Sequence, residues 1–404
     1  MVLMSLMALV LMLLGYLLGV VFAGPGAGFI GLIIATVIWL ILTIISFSAG
    51  DSILLASSRA QRVTHDVHPQ LFNVVEEMAI AASLPMPKVY IIPDPAPNAF
   101  ATGRKPQTAS VAVTAGLLGR LNRDELQGVV AHEMSHILHR DILFVTLAGI
   151  MLGSIVLLSQ VFLRGMFFSS MGGSRRRYSG GSGGGQAQLI MLVVAIVAAI
   201  LAPIMAHFLY FAISRKREYL ADAGAARLTR YPEGLASALG KIARDTSPQL
   251  AAANKVTAPM YIANPFKKKG KRVKLSDLSS THPPISERIK ILRSMSGGAS
   301  FKDYSDSFTH ITGAKAVVPP TALAKEEISL RQPGPKAKEK LKPEQQIRQV
   351  GDLMRMVNGF VFVSCVCGLR LKIPPNYNKA AVNCPRCRRK LDMPASKQPQ
   401  TTKS

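Results

Sequence analysis

Cysteine is absent from the first 364 residues of this 404-residue chain, and all four copies lie between Cys365 and Cys387. The bulk of the protein is therefore built without disulfides or thiol chemistry. Acidic residues are scarce as well: 23 Asp and Glu stand against 48 Lys and Arg, a formal charge of +25. So basic a chain invites a nucleic-acid reading, yet its densest basic run, "NPFKKKGKRVK" from Asn264 to Lys274, lacks interleaved aromatics. A solvated loop drawn to anionic lipid headgroups is expected there, and no specific nucleic acid. Charge of either sign is missing from four long apolar runs, which explains a mean hydropathy of +0.26 in so basic a chain.

Those runs are "VLMSLMALVLMLLGYLLGVVF", "FIGLIIATVIWLILTIISF", "ILFVTLAGIMLGSIVLLSQVFL" and "LIMLVVAIVAAILAPIMAHFLYFAI". Each approaches or exceeds the ~20 residues that cross a bilayer as a helix. The first ends in small residues at Val21 and Ala23, as a cleaved leader would, but no basic residue precedes its long apolar stretch. It is expected to be retained and to form a hairpin with the second run across a short Gly/Pro linker. The polar block from Asp51 to Asp141 reads as a helix over "PQLFNVVEEMAIAASL", strands in "KVYIIP" and "ASVAVTAGLL", and a helix over "RDELQGVVAHEMSHILHRD". The fourth run continues into "SRKREYLADAGAARLT" with no breaker before Tyr231-Pro232.

The expected architecture is an α-helical membrane protein with four transmembrane helices, a mostly α (α+β) zincin-like domain and a small β zinc ribbon. The segments divide as a span hairpin 1–50, a first peptidase part 51–141, a second hairpin 142–213, a second peptidase part 214–295, a flexible linker 296–358, a ribbon module 359–395 and a tail 396–404. The linker reading rests chiefly on the Pro, Lys, Glu and Gln content from Gly313 to Arg348. Most Lys and Arg fall in the two large polar blocks, which places both on the cytoplasmic side. The Gly/Ser-rich loop 164–187, with Arg175, Arg176 and Arg177, is a minor exception.

In "VVAHEMSHILHRD", His132 and His136 are four residues apart and share a helix face, where they could hold one metal ion. Glu133, beside them, would be the general base of a zincin. A helix with solvated His and Glu carries the same short motif, so context must decide. A catalytic zinc takes three protein ligands, and Glu218 is the best third because its helix continues from the neighbouring span. Asp222 follows one turn later and suits the orientation of a ligand histidine.

"AHEMSHILHRD", "SRKREYLADAGAA" and "STHPPISERIKIL", in that order and interleaved with the apolar runs, resemble the M48 peptidases, and among them the bacterial HtpX-like membrane proteases. "PNAFATG", Pro97 to Gly103, looks like that family's segment before the metal helix. The resemblance implies zinc on His132, His136 and Glu218, with Glu133 as general base and acid. It further implies that His282 and Arg288 reach back into the site, His282 to stabilise an oxyanion and Arg288, like Asp222, to support the ligands from behind. Asn98, Ala99 and Phe100, with Val111 and Val113 of an edge strand "SVAVTAGLL", would bind substrate by backbone pairing. His139 departs from the family pattern and is not expected to be a ligand.

Cys365 and Cys367, then Cys384 and Cys387, are two close pairs separated by a turn-rich stretch. They resemble the knuckles of a ribbon holding a second, structural zinc, with two disulfides as the alternative. The resemblance implies a multi-pass enzyme of a bacterial-type cytoplasmic membrane that hydrolyses peptide bonds in misfolded or damaged membrane proteins, with its active site facing the cytoplasm. Its expected partners are those substrates, the lipid bilayer and a protein bound through the ribbon. Selective processing, as by prenyl-protein peptidases, and a non-catalytic scaffold acting through the ribbon are the rival readings.

Overall fold

The computed structural model of the protein describes residues 2–143, 155–156, 159–160, 163–164, 184–245, 261–262, 283–314, 327–334 and 343–393. Helices α1 (Val2–Ala23) and α2 (Gly28–Ser57) form the expected hairpin, turning at Gly24 with φ 94°. Small residues bring the two backbones together. A Cβ on Gly15 would lie 2.4 Å from Ala35 Cβ, and one on Gly31 would lie 2.2 Å from the Gly15 carbonyl. The outer face of α2 exposes Phe29, Ile30, Ile33 and Ile34, a surface that needs lipid or another apolar cover. Among the described residues, Gly28–Ile45 is the stretch long and apolar enough to cross a membrane, and Ala8–Val20 is a shorter apolar one. Most of the third apolar run, like the basic run 264–274 and most of the loop 164–187, lies outside the described residues.

The polar block carries the expected strands at 88–92 and 110–114, with two further strands and a helical turn over "AGLL" that the sequence reading did not give. Strands β1 (Gln61–Arg62), β2 (Lys88–Ile92), β3 (Ala99–Thr102) and β4 (Ser110–Thr114) form one sheet in the order β1-β2-β4-β3. β4 runs parallel to β2 and antiparallel to β3. This order corrects the expectation that "SVAVTAGLL" is an edge. Both sides of β4 are paired, and Val111 and Val113 are fully buried in the core, so neither can line a substrate site. The edge strand beside β4 is β3, and β1 forms the opposite edge.

Helix α3 (Pro69–Ala81) buries Leu71, Val74, Val75 and Met78. After the single turn α4 (Ala115–Leu118), helix α5 (Arg123–Leu138) starts in a capping box between Asn122 and Glu125. Glu125 is buried but paired, with Lys241 Nζ at 2.6 Å and Ser237 Oγ at 2.7 Å. Helix α6 (Gly184–Thr229) is 46 residues long and carries the fourth apolar run without interruption into "SRKREYLADAGAARLT". Pro232 then opens α7 (Pro232–Arg244), which packs so tightly on α5 that a Cβ at Gly128 would meet Leu235 N at 2.6 Å.

Beyond α8 (Ile285–Ser294) the chain does not behave as the linker expected from residue 296. Helix α9 (Phe301–Thr312) has its own capping box, Ser300 with Asp303, and buries Tyr304 and Phe308 in the peptidase core. Residues 327–334 cross the start of α5: Arg331 Nη2 donates to Asp124 Oδ1 at 2.9 Å, and Arg331 N donates to Arg230 O at 2.7 Å. Helix α10 (Pro343–Val357) seats Val350 against Gly119. Two antiparallel hairpins follow, β5 (Val361–Ser364) with β6 (Arg370–Ile373), and β7 (Ala381–Asn383) with β8 (Lys390–Asp392).

Candidate metal centre and peptidase site

His132 and His136 project from one face of α5, their rings 4.8 Å apart, and Glu218 comes from α6 to meet them. His132 Nε2 lies 3.7 Å from Glu218 Oε2, and His136 Nε2 lies 3.4 Å from Glu218 Oε1. Ligands about 2.0–2.1 Å from a tetrahedral zinc are about 3.3–3.4 Å from one another. The three groups thus stand at a metal's ligand spacing, and they fit zinc. All three are buried or nearly so, which would be costly for unmetallated polar groups.

Behind the ligands lie two carboxylates. Asp222 Oδ1 is 3.0 Å from His132 Nδ1, and Asp141 Oδ2 is 3.2 Å from His136 Nδ1. Each carboxylate is held by an arginine. Arg288 Nε and Nη2 donate to the two Asp222 oxygens at 2.8 and 2.7 Å, and Arg217 Nη1 donates to Asp141 Oδ1 at 2.7 Å. Asp222 thus stands where the sequence predicts. Arg288 also lies behind the ligands, wholly buried against Asp222, with Nη1 donating to the Ile262 carbonyl at 3.2 Å. It acts on the site through a ligand histidine, 3.6 Å from Glu218 Oε2 at its nearest. His282 lies outside the described residues. His139 caps α5 and bonds Ser135, away from the ligand cluster. Asp141 and Arg217, which sequence reasoning did not single out, also stand in contact with the site.

Glu133 is buried, and burial lifts its carboxyl to about 7, with the nearby Glu218 charge adding to the shift and His136 opposing it. The Ala101 backbone also bonds the Glu133 carboxylate. That contact places the base at the outer edge of β3, the side away from β4. Burial works against a charge on His136, but the Asp141 bond and Glu218 outweigh it and raise the ring to about 10.

Asn98, Ala99 and Phe100 are all buried. Asn98 Oδ1 accepts from Ala99 N at 3.1 Å and shapes the start of β3. Phe100 stacks edge-on with Tyr261 at 5.1 Å, and the Ala99 carbonyl accepts from Ile262 N at 3.0 Å. These residues build the edge strand from behind, and their side chains are not an open binding surface.

An HExxH helix, a glutamate from a second helix and a base at a sheet edge define a zincin metallopeptidase. Residues 65–296, more than half of the chain, match the model of peptidase family M48, and the protein belongs to that family. It is a zinc metalloendopeptidase. The chain is 48% identical over 268 residues to a Protease HtpX homolog of Dictyoglomus turgidum, covering 66% of this chain and 83% of that one. It is 43% identical over 295 residues to a Protease HtpX homolog of Listeria monocytogenes, and 41% over 293 residues to one of Lactobacillus helveticus. Each of these covers 71% of this chain and 96% of the relative.

The four cysteines form a second cluster, beyond the family match. Cys365 Sγ lies 3.4 Å from Cys387 Sγ, and Cys367 Sγ lies 3.6 Å from Cys384 Sγ. A disulfide needs about 2.05 Å, whereas four thiolates about 2.3 Å from a tetrahedral zinc are about 3.75 Å apart. Backbone N–H groups, first of Cys387 and then of Arg386, draw the Cys384 thiol down to about 6. The cluster therefore offers the sulfur spacing of a metal site, with the negative charge gathered on Cys384 while Cys365 is pushed up to about 12.

Proposed function

We propose that the protein is a multi-pass membrane endopeptidase that cuts misfolded or damaged membrane proteins, with its active site on the cytoplasmic side. The single observation that carries this reading is the convergence of His132, His136 and Glu218 beside Glu133, next to Ala101 of the edge strand β3. The names of the HtpX homologs and the four apolar runs support the membrane setting, and the charge distribution supports the orientation.

Bound at these ligands, zinc supplies Lewis acidity towards a peptide carbonyl and brings the pKa of a water towards ~7. His132, His136 and Glu218 hold the metal, while Asp222 keeps His132 in the tautomer that presents Nε2. Glu133 accepts the proton of the attacking water and returns it to the departing amine. An extended substrate pairs with the outer edge of β3 near Ala101, which recognises backbone and leaves side-chain specificity broad. Arg288 supports the site through Asp222, and the oxyanion role falls to His282. The cysteine module holds a structural zinc and recruits a protein partner.

The test is cleavage of casein by the full-length protein in detergent, stripped with chelator and then given zinc, beside Glu133→Gln. Wild type should recover activity, while Glu133→Gln should bind zinc equally and lose roughly 100-fold or more in kcat. Equal activity in both proteins would remove Glu133 from the mechanism. A single defined cut in one substrate, with casein untouched, would favour selective processing.

A further inference from the structure

The roles assigned so far leave Asp141 and Arg217 unexplained. Helix α5 ends at Leu138, and an uninterrupted helix would carry Asp141 about 140° around from His136. Instead Arg140 adopts φ 57°, a left-handed conformation unusual for a residue with a side chain. The reversal brings Asp141 back beneath its own helix, where Oδ2 meets His136 Nδ1 at 3.2 Å. Asp141 is 4% exposed, so this contact is largely shielded from water.

Its other oxygen takes Arg217 Nη1 at 2.7 Å, and Arg217 directly precedes the ligand Glu218 on α6. A closed path thus runs from His136 through Asp141 and Arg217 to Glu218. The path bridges two helices that no short loop connects. A salt bridge that only joined α5 to α6 would not need its carboxylate on the ring nitrogen of a ligand.

We propose that Asp141 is a positioning residue of the zinc site, fixing His136 through Nδ1 and, through Arg217, drawing Glu218 up to the two histidines. The inference rests on the zinc reading above. Losing a carboxylate behind a ligand histidine typically weakens metal binding by about 10- to 100-fold.

The experiment is a competition titration of zinc against a chromophoric chelator, with the full-length protein in detergent and His136→Ala defining zinc held elsewhere. Asp141→Asn should weaken the site by about 10- to 100-fold. Arg217→Gln should weaken it less, Arg217→Lys should recover part of that loss, and Asp141→Asn with Arg217→Gln should be no worse than Asp141→Asn alone. Glu233→Gln, which breaks the exposed pair with Arg293, should change nothing. Affinities within twofold of wild type, with only a lower Tm, would reduce the pair to a structural bridge and overturn the proposal. If Asp141→Asn does not accumulate folded, Arg217→Gln decides alone by the same criterion. Equal zinc in wild type and His136→Ala would instead defeat the zinc reading itself, and this inference with it.

Discussion

Asp222 accepts from Nε and Nη2 of Arg288, at 2.8 and 2.7 Å, and its Oδ1 stands 3.0 Å from His132 Nδ1. Neither Asp222 nor Arg288 is exposed to any measurable extent. Burial opposes the charge on Asp222, yet Arg288 outweighs it and holds the carboxyl below its usual range. A ligand histidine is thus anchored to the deepest charge pair of the domain.

Arg288→Ala should strand a buried carboxylate and cost about 3–5 kcal/mol of stability. Arg288→Lys should recover little, because one ammonium cannot span both oxygens as the planar fork does. Asp222→Leu with Arg288→Met should regain much of the stability but not the zinc affinity. Denaturation curves and zinc content for the same four proteins check this. Zinc binding that follows stability in every variant would show that the pair only supports the fold.

The zinc-free protein should lose stability as pH rises. Folding raises His136 from its usual 6.5 to about 10 and Glu133 from 4.5 to about 7. A raised group contributes stability that is complete below its unfolded value and lost as pH climbs through its folded value. Glu133 therefore weakens the metal-free fold between about pH 4.5 and 7, and His136 between about pH 6.5 and 10. Zinc takes His136 in its neutral form, so binding strengthens over the same range. The Tm gap between zinc-loaded and chelated protein should widen from about pH 6 to 9. A gap that stays constant or narrows contradicts the assignment.

Cys384→Ser should remove one equivalent of zinc while leaving casein cleavage at the His132 site measurable. Wild-type protein should show four thiols after metal removal under non-reducing conditions, as the S–S separations of 3.4 and 3.6 Å require. Thiol titration and metal analysis decide; finding two disulfides in protein purified with its metal would overturn the second zinc.

The helices and the ligand set were legible because their signals are local. Spacing of four placed His132 with His136, and Glu218 with Asp222, and Tyr231-Pro232 marked the end of α6 within two residues. Strand order is not local. "SVAVT" gives no sign that both its edges are taken, since that depends on pairing with β2 and β3 from elsewhere in the chain. Composition misled for residues 301–312 and 327–334: Tyr304, Phe308 and Arg331 find partners far away in sequence, which no window average registers. Asp141 escaped because it lies past the helix end, where the turn at Arg140, not helical periodicity, decides its direction. An acidic residue just beyond an HExxH helix was the available signal.

Helix α6 also has a mechanical consequence. Gly184 to Glu218 is about 50 Å of unbroken helix at 1.5 Å per residue. One degree of tilt about its far end moves Glu218 by about 0.9 Å, while a metal site tolerates about 0.2 Å in its ligand distances. The helix is a long lever with its most exacting load at one tip. Any force that tilts the other half of the helix then becomes an input to the affinity of the enzyme for its metal.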